Sequence, residues 1–208
     1  MSRILVCFLF LLPLMSFSQK FNGGILAGGN VSQVDGDTYE GYHKIGYQAG
    51  AFVSLRVSRH SSFQMEMEYF QKGSRKVSNP DKGDMDDYLL RIHYLEIPLL
   101  YQYTFAKRLQ AEVGPVADVL LGSYDGYNGQ PVPNLVPLRT ITLAGILGIA
   151  CYITPHLKAG FRLNYSLLSI RQPANPEPPG YRRIFFETGQ YNNVLSLTLS
   201  WDFRKFEF

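Results

Sequence analysis

The stretch Phe63–Lys72, FQMEMEYFQK, decides how this chain folds. Its odd positions are Phe63, Met65, Met67 and Tyr69, and its even positions are Gln64, Glu66, Glu68, Phe70 and Lys72. Successive side chains of a β-strand point to opposite faces, so a period of two sorts this stretch into an apolar face and a charged face. The residue on each face then follows from parity alone.

The same alternation recurs on both sides of this stretch. Gly46–Val57 sets Tyr47, Ala49, Ala51, Val53, Leu55 and Val57 against Gln48, Phe52, Ser54 and Arg56. Leu95–Tyr103 sets Leu95, Ile97, Leu99, Tyr101 and Tyr103 against Glu96, Pro98, Leu100 and Gln102. Leu109–Leu121 carries Gln110, Glu112 and Asp118 on its polar face, and Leu157–Leu168 carries Lys158, Arg162 and Asn164. Near the C-terminus Leu195, Leu197, Leu199, Trp201 and Phe203 oppose Ser196, Thr198, Ser200 and Asp202. Thr140–Ile153 alternates aliphatic with small residues. Gly23–Ser32, rich in glycine, would turn Ile25, Ala27 and Val31 outward, opposite Leu26, Gly28 and Asn30. These segments predict an all-β chain of eight strands.

Periodicity alone leaves the direction of the faces open. A soluble barrel hides its apolar face, whereas a membrane barrel turns it to lipid and keeps charge in the lumen. Connection lengths favour the second. Ser58–Ser61, Phe105–Arg108 and Thr154–His156 are short, while Gln33–Ile45, Gly73–Tyr88, Ser123–Leu138 and Ser169–Gln190 are long. Short periplasmic turns and long extracellular loops are the pattern of an eight-stranded antiparallel up-and-down transmembrane β-barrel. On that topology Tyr47, Tyr69, Tyr165 and Tyr191 fall at the extracellular end of the outward face. Phe63, Tyr101, Tyr103, Trp201 and Phe203 fall at the periplasmic end, making two interfacial aromatic girdles.

The N-terminus agrees with export. Arg3, the apolar run Ile4–Leu14 and the small residues Ser16 and Ser18 read as a signal peptide over residues 1–18, cleaved before Gln19, leaving residues 19–208 as one barrel domain. Of the two cysteines, Cys7 lies in that leader, so Cys151 has no partner for an intramolecular disulfide. Twenty basic against 17 acidic residues give a net charge of +3, with no basic run, which excludes a nucleic-acid partner. Aromatics at 14% and 19 glycines suit a β protein.

Three elements carry a family resemblance: GYQAGAFV (Gly46–Val53) following VDGD (Val34–Asp37), YLEIPLLY (Tyr94–Tyr101) and EVGP (Glu112–Pro115). In order and spacing the chain resembles the outer-membrane β-barrel domain family, often labelled porin-like or PorT-like. The resemblance implies an eight-stranded barrel of OmpA/OmpX type and no enzyme. Some relatives serve a secretion apparatus. The aromatic terminus at Phe206 and Phe208 resembles the signal used by the barrel-assembly machinery.

The inward parity assembles Arg56, Glu66, Glu68, Lys72, Glu96, Glu112, Asp118, Lys158, Arg162 and Asp202 in one lumen. An eight-stranded interior is just filled by side chains, and buried charge must pair. A structural salt-bridge plug is therefore expected in preference to a proton or ion path, with Arg162 and Arg56 as partners for the crowded acids. No cofactor, metal or catalytic site is expected. His43, His60, His93 and His156 lack ligand spacing, and Asp35, Asp37, Asp81, Asp84, Asp86 and Asp87 read as solvated acidic loops rather than a divalent-cation site. The stretch Pro173–Pro179 reads as a stiff extended loop. The expected role is structural or interactive, within the bacterial outer membrane. The alternatives are a PorT-like component of a secretion system and a narrow small-solute porin. Expected partners are outer-membrane lipid and lipopolysaccharide, the assembly machinery during biogenesis, and envelope or secretion-system proteins.

Overall fold

The computed structural model describes residues 21–39, 41–132, 136–171, 176, 178, 180–184 and 187–206. The leader over residues 1–18, Cys7, Gln19, Phe208 and most of the proline-rich stretch 173–179 lie outside the described residues.

Strands form where the alternation places them. They are β1 (Phe21–Asp35), β2 (Lys44–Arg56), β3 (Ser61–Lys76), β4 (Tyr88–Thr104) and β5 (Leu109–Tyr127). There follow the two-residue β6 (Gln130–Pro131), β7 (Ile141–Tyr152), β8 (Leu157–Ser166), the short hairpin β9 (Arg182–Ile184) and β10 (Glu187–Gly189), and β11 (Tyr191–Asp202). The sheet runs β4-β3-β2-β1-β11-β8-β7-β5 and closes by pairing β4 with β5. All of these pairings are antiparallel. The result is a closed ring of eight strands, with β6 added to the end of β5 and the β9–β10 hairpin standing apart. Closure leaves no unpaired edge to meet hydrocarbon.

Parity holds along the ring. Ile25, Val53, Met65, Met67, Leu99, Val113, Leu147, Ile149 and Leu197 are exposed, and Cys151 is a free thiol on the same outer surface. Leu197, 66% exposed, follows Ser196, 3% exposed, and that one-residue contrast repeats strand by strand. Such a surface of aliphatic side chains fits only an apolar solvent.

Several strands run well past the segments predicted from alternation at the end that carries the long connections, β3 to Lys76, β4 from Tyr88 and β5 to Tyr127. β4 has 17 residues and β5 has 19, against about 9–11 needed to cross a bilayer. The ladder continues from Tyr94 to Tyr88 against both neighbours, to Lys76 on β3 and to Tyr127 on β5. Much of what reads as loop is thus paired backbone. The alternation continues there, with Leu90 and Ile92 buried on the inner face and Arg91 exposed on the outer one.

Inside that upper end lies an apolar cluster: Val34, Leu90, Ile92, Tyr94, Leu138 and Ile170, with Tyr88 and Leu120 packed against it. Leu138 and Ile170 come from the long connections, which fold over the mouth. Arg171 holds them there. It donates to the Gln190 side chain at 2.7 Å and to the Val136 carbonyl at 2.6 Å, and pairs with Asp125 at 3.1 Å. Arg139 pairs with Glu187 at 2.7 Å.

Candidate functional site

In the lumen charged side chains converge on each other away from water. β3 and β8 lie four steps apart in either direction around the ring of eight, so they face each other across its diameter. Arg162 on β8 spans that diameter. Its Nη1 and Nη2 donate to the two oxygens of Glu66 on β3 at 2.7 and 2.8 Å. Its Nε donates to Glu112 Oε2 on β5 at 2.9 Å. Lys158 reaches Glu112 Oε1 at 3.3 Å, and Gln102 donates to Glu112 at 2.9 Å and to Gln64 Oε1 at 3.0 Å. Arg162 is fully buried, and so are both its carboxylates.

Room for that guanidinium comes from β7. Gly148 pairs with both Arg162 and Glu112. A methyl group at position 148 would stand 3.0 Å from Arg162 Cγ, tighter than ordinary contact. At this level β7 offers only small inward residues, Ala144, Gly148 and Ala150 around Ile146, and Arg162 lies against it.

A second network sits nearer the extracellular end. Lys72 pairs with Glu96, and with Asp118 at 3.2 Å. Asn164 donates to Glu96 Oε2 at 3.2 Å. The Lys72 ammonium also lies over the rings of Phe70 and Tyr94, at 5.1 and 5.5 Å. The apolar cluster closes over this network. Glu68, on β3 between Glu66 and Lys72, is buried with neither carboxylate oxygen hydrogen-bonded among the described residues.

Two residues of the inward set lie elsewhere than in this crowd. Arg56 pairs in register with Ser62, whereas Glu66 pairs with Phe52. Arg56 therefore stands four residues lower, about 13 Å along the strand. It is half-buried at the periplasmic mouth, its guanidinium 4.9 Å from the ring of Phe206. It is no partner for the mid-lumen acids, contrary to the expectation from strand depth. Asp202 lies at the same mouth and accepts from the Asn22 amide. Phe206 turns inward there, stacked on Tyr152 with centroids 4.0 Å apart.

The girdles assemble as rings in contact. Tyr47 and Tyr69 lie 5.5 Å apart near the extracellular end, and Phe63 and Tyr101 lie 5.5 Å apart near the periplasmic end. Trp201 stacks on His156 at 5.3 Å, and Tyr103 and Phe203 are exposed beside them. Tyr165 is half-buried and donates to Asp35 at 2.7 Å. Tyr191 is not a girdle residue. It is fully buried, its hydroxyl bonded to the carbonyls of Ile184 and Glu187, because the β9–β10 hairpin covers it.

Three of the loop acids, Asp35, Asp37 and Asp84, are engaged, while Asp81 is exposed as expected. Asp35 holds Tyr165 and Gln33, and Asp84 pairs with Lys76 at 2.9 Å. Asp37 is 8% exposed and accepts from the Tyr39 backbone N–H at 2.9 Å. Burial pushes its carboxyl up to about 6. Among the described residues, no three His, Cys, Asp or Glu side chains converge to hold a metal ion. Sequence parity identifies the lumen charges, but it does not single out the bridging amides Gln64, Gln102 and Asn164 from other even-position polar residues. The inward turn of Phe206 has no sequence signal.

Comparison with known proteins fits this geometry. No curated protein matches the chain. Among solved structures, the fold is similar to Neisserial surface protein A, with a TM-score of 0.55 and 10% identity over 87% of this chain and 97% of that one. It is similar also to Ail, the attachment invasion locus protein of Yersinia pestis, in complex with the heparin analogue sucrose octasulfate. That match has a TM-score of 0.50 and 12% identity over 88% of this chain and 99% of the other. At such identities the likeness is one of fold. The family model for the outer membrane protein beta-barrel domain matches residues 17–172, ending before β11, the strand that completes the ring. With its charges inside, its aliphatic surface outside and most of its length matched by that model, the chain belongs to the outer membrane protein beta-barrel domain family and is a β-barrel of the bacterial outer membrane.

Proposed function

We propose that this protein is a closed, non-enzymatic scaffold of the outer membrane, which holds a folded layer of extracellular loops in place for a structural or interaction role in the envelope. The observation that carries this reading is the contact of Arg162 with Glu66 across the full diameter of the lumen. A hydrated ion passing through would have to break a buried ion pair, and leaving either charge unpartnered costs about 3–5 kcal/mol. Above it the Lys72 network and the apolar cluster under Leu138 and Ile170 add two further closures. The loops have the packing of a fixed surface: Arg171 binds Asp125, Val136 and Gln190, and the Arg139–Glu187 pair is a second tie between the same two connections.

Conductance tests this reading. Full-length protein refolded into a planar lipid bilayer is expected to show no stable open level. Steady conductance of porin size would replace the scaffold with a solute pore. Reproducible co-purification with other envelope proteins, abolished by changes in the loops, would place the scaffold within an assembly such as a PorT-like secretion system.

A further inference from the structure

The outer surface carries a group of charges that the lumen does not use. Arg75 on β3 and Arg91 on β4 are both exposed. Gly73 pairs with Arg91, so Arg75 is its diagonal neighbour, about 7–8 Å away between Cα atoms. Both share the parity of Phe63, Met65 and Met67, and therefore lie on the lipid side of the wall. A third cation stands behind them. Lys44, on β2, is buried, and its ammonium is held by the Ile45 carbonyl at 2.6 Å and Gln71 Oε1 at 3.0 Å. Both guanidiniums lie close enough to act on Lys44 electrostatically, and Arg91 and Lys44 both act on His93. Among the described residues, neither Arg75 nor Arg91 makes an ion pair or hydrogen bond.

The level of this cluster is set by the girdle. Tyr47, Tyr69 and His93 form a contiguous row, with Tyr69 5.5 Å from Tyr47 and 5.8 Å from His93. Arg91 is the next outward position beyond His93 on β4, opposite the exposed Tyr124 on β5. Aromatic girdles mark the boundary of the hydrocarbon, so the guanidiniums stand in the headgroup layer directly above it. Two other charged groups at the same end are already engaged. Asp35 there is bonded to Tyr165, and Arg139 is paired with Glu187. Like charges gathered without a counter-ion repel, and an anion between them turns that repulsion into attraction. A guanidinium fork matches the oxygens of a phosphate, and two such forks on one lipid-facing surface match one held at headgroup depth.

From this we infer that Arg75 and Arg91, backed by Lys44, form a clamp on the β3–β4 face for a phosphate of an outer-leaflet lipid headgroup. The inference uses the outer-membrane placement of the barrel and is independent of whether the lumen conducts.

The test uses full-length protein refolded in phosphatidylcholine vesicles doped with diphosphorylated lipid A or with its dephosphorylated form. Mild detergent extraction and native mass spectrometry then count lipid A retained per barrel. Wild type is expected to retain the phosphorylated form only. Arg75→Gln combined with Arg91→Gln is expected to lower retention on the order of tenfold. The control Arg183→Gln, on the exposed β9 strand, is expected to leave it unchanged. Heat-modifiable gel mobility confirms that every variant folds, and all three side chains are exposed, so none supports the core. Equal retention by wild type and the double variant would overturn the clamp. So would equal retention of the dephosphorylated lipid, or emptying of the site by millimolar inorganic phosphate, which would mark a free-anion site instead.

Discussion

Arg162 and Glu66 join diametrically opposite walls of the barrel through two parallel hydrogen bonds of 2.7 and 2.8 Å. Residues 96 positions apart in sequence are thereby tied through the centre of the ring. The pair acts as a cross-brace, and Glu112, bonded to Arg162 Nε, ties a third strand to it.

Removing the brace from one side is expected to be costly. Arg162→Ala leaves Glu66 buried with no cation and Glu112 with Lys158 alone. A loss of about 3–5 kcal/mol follows, measured by urea unfolding in lipid vesicles. Changing Arg162→Met together with Glu66→Met is expected to recover part of the loss, since no charge at position 66 remains to be compensated. Unfolding of Arg162→Ala unchanged from wild type would show that the lumen charges are solvated.

Adjacent positions on β11 are expected to respond to the same substitution by different physics. Leu197→Arg places a charge against lipid near mid-strand and costs about 2–4 kcal/mol at the bilayer midplane. Ser196→Arg points into a filled lumen, where the limit is space between Arg162 and its neighbours. Folding yield as a function of bilayer thickness separates the two, because only the lipid-facing charge feels the membrane. Identical dependence for both would invert the facing of the strand.

The apolar cap makes its own prediction. Ile92 is fully buried among Val34, Leu90, Tyr94, Leu138 and Ile170. Ile92→Ala is expected to cost about 2–4 kcal/mol, and to loosen the loops that cover it. Limited proteolysis of the folded protein should then cut the connection around Leu138 faster than in wild type, with the membrane-embedded strands still protected.

Asp37 gives the loop layer a pH dependence. Its carboxyl titrates at about 6 in the folded loop, chiefly because burial disfavours the charged form, against 3.8 when free. Between those values the folded loop keeps a proton that the unfolded chain has released. Stability therefore falls as pH rises through that window and is flat above it, by at most about 3 kcal/mol. Hydrogen-exchange protection around Tyr39, after correction for the intrinsic pH dependence of amide exchange, is expected to be higher at pH 4.5 than at pH 7.5. Asp37→Asn should remove the difference and protect the loop at neutral pH. Equal protection of the wild type at both values would refute it.

The sequence by itself determined the wall of this protein. FQMEMEYFQK and its counterparts assign nearly every side chain to lipid or lumen, because a strand has a strict period of two and needs no distant information to express it. Alternation of short and long connections then determined which end faces out. The tertiary structure decided everything that depends on ring closure. Sequence places Arg56 and Arg162 in the same lumen, but only the register, Arg56 with Ser62 and Glu66 with Phe52, sends one to the mouth and the other to the centre. Which acid meets Arg162 depends on β3 and β8 standing opposite each other, a property of eight strands closing and not of either strand. The burial of Tyr191 under a hairpin, the turn of Phe206 onto Tyr152, and the cap built from Leu138 and Ile170 come from segments without alternation. There the backbone follows whatever surface the closed barrel offers it.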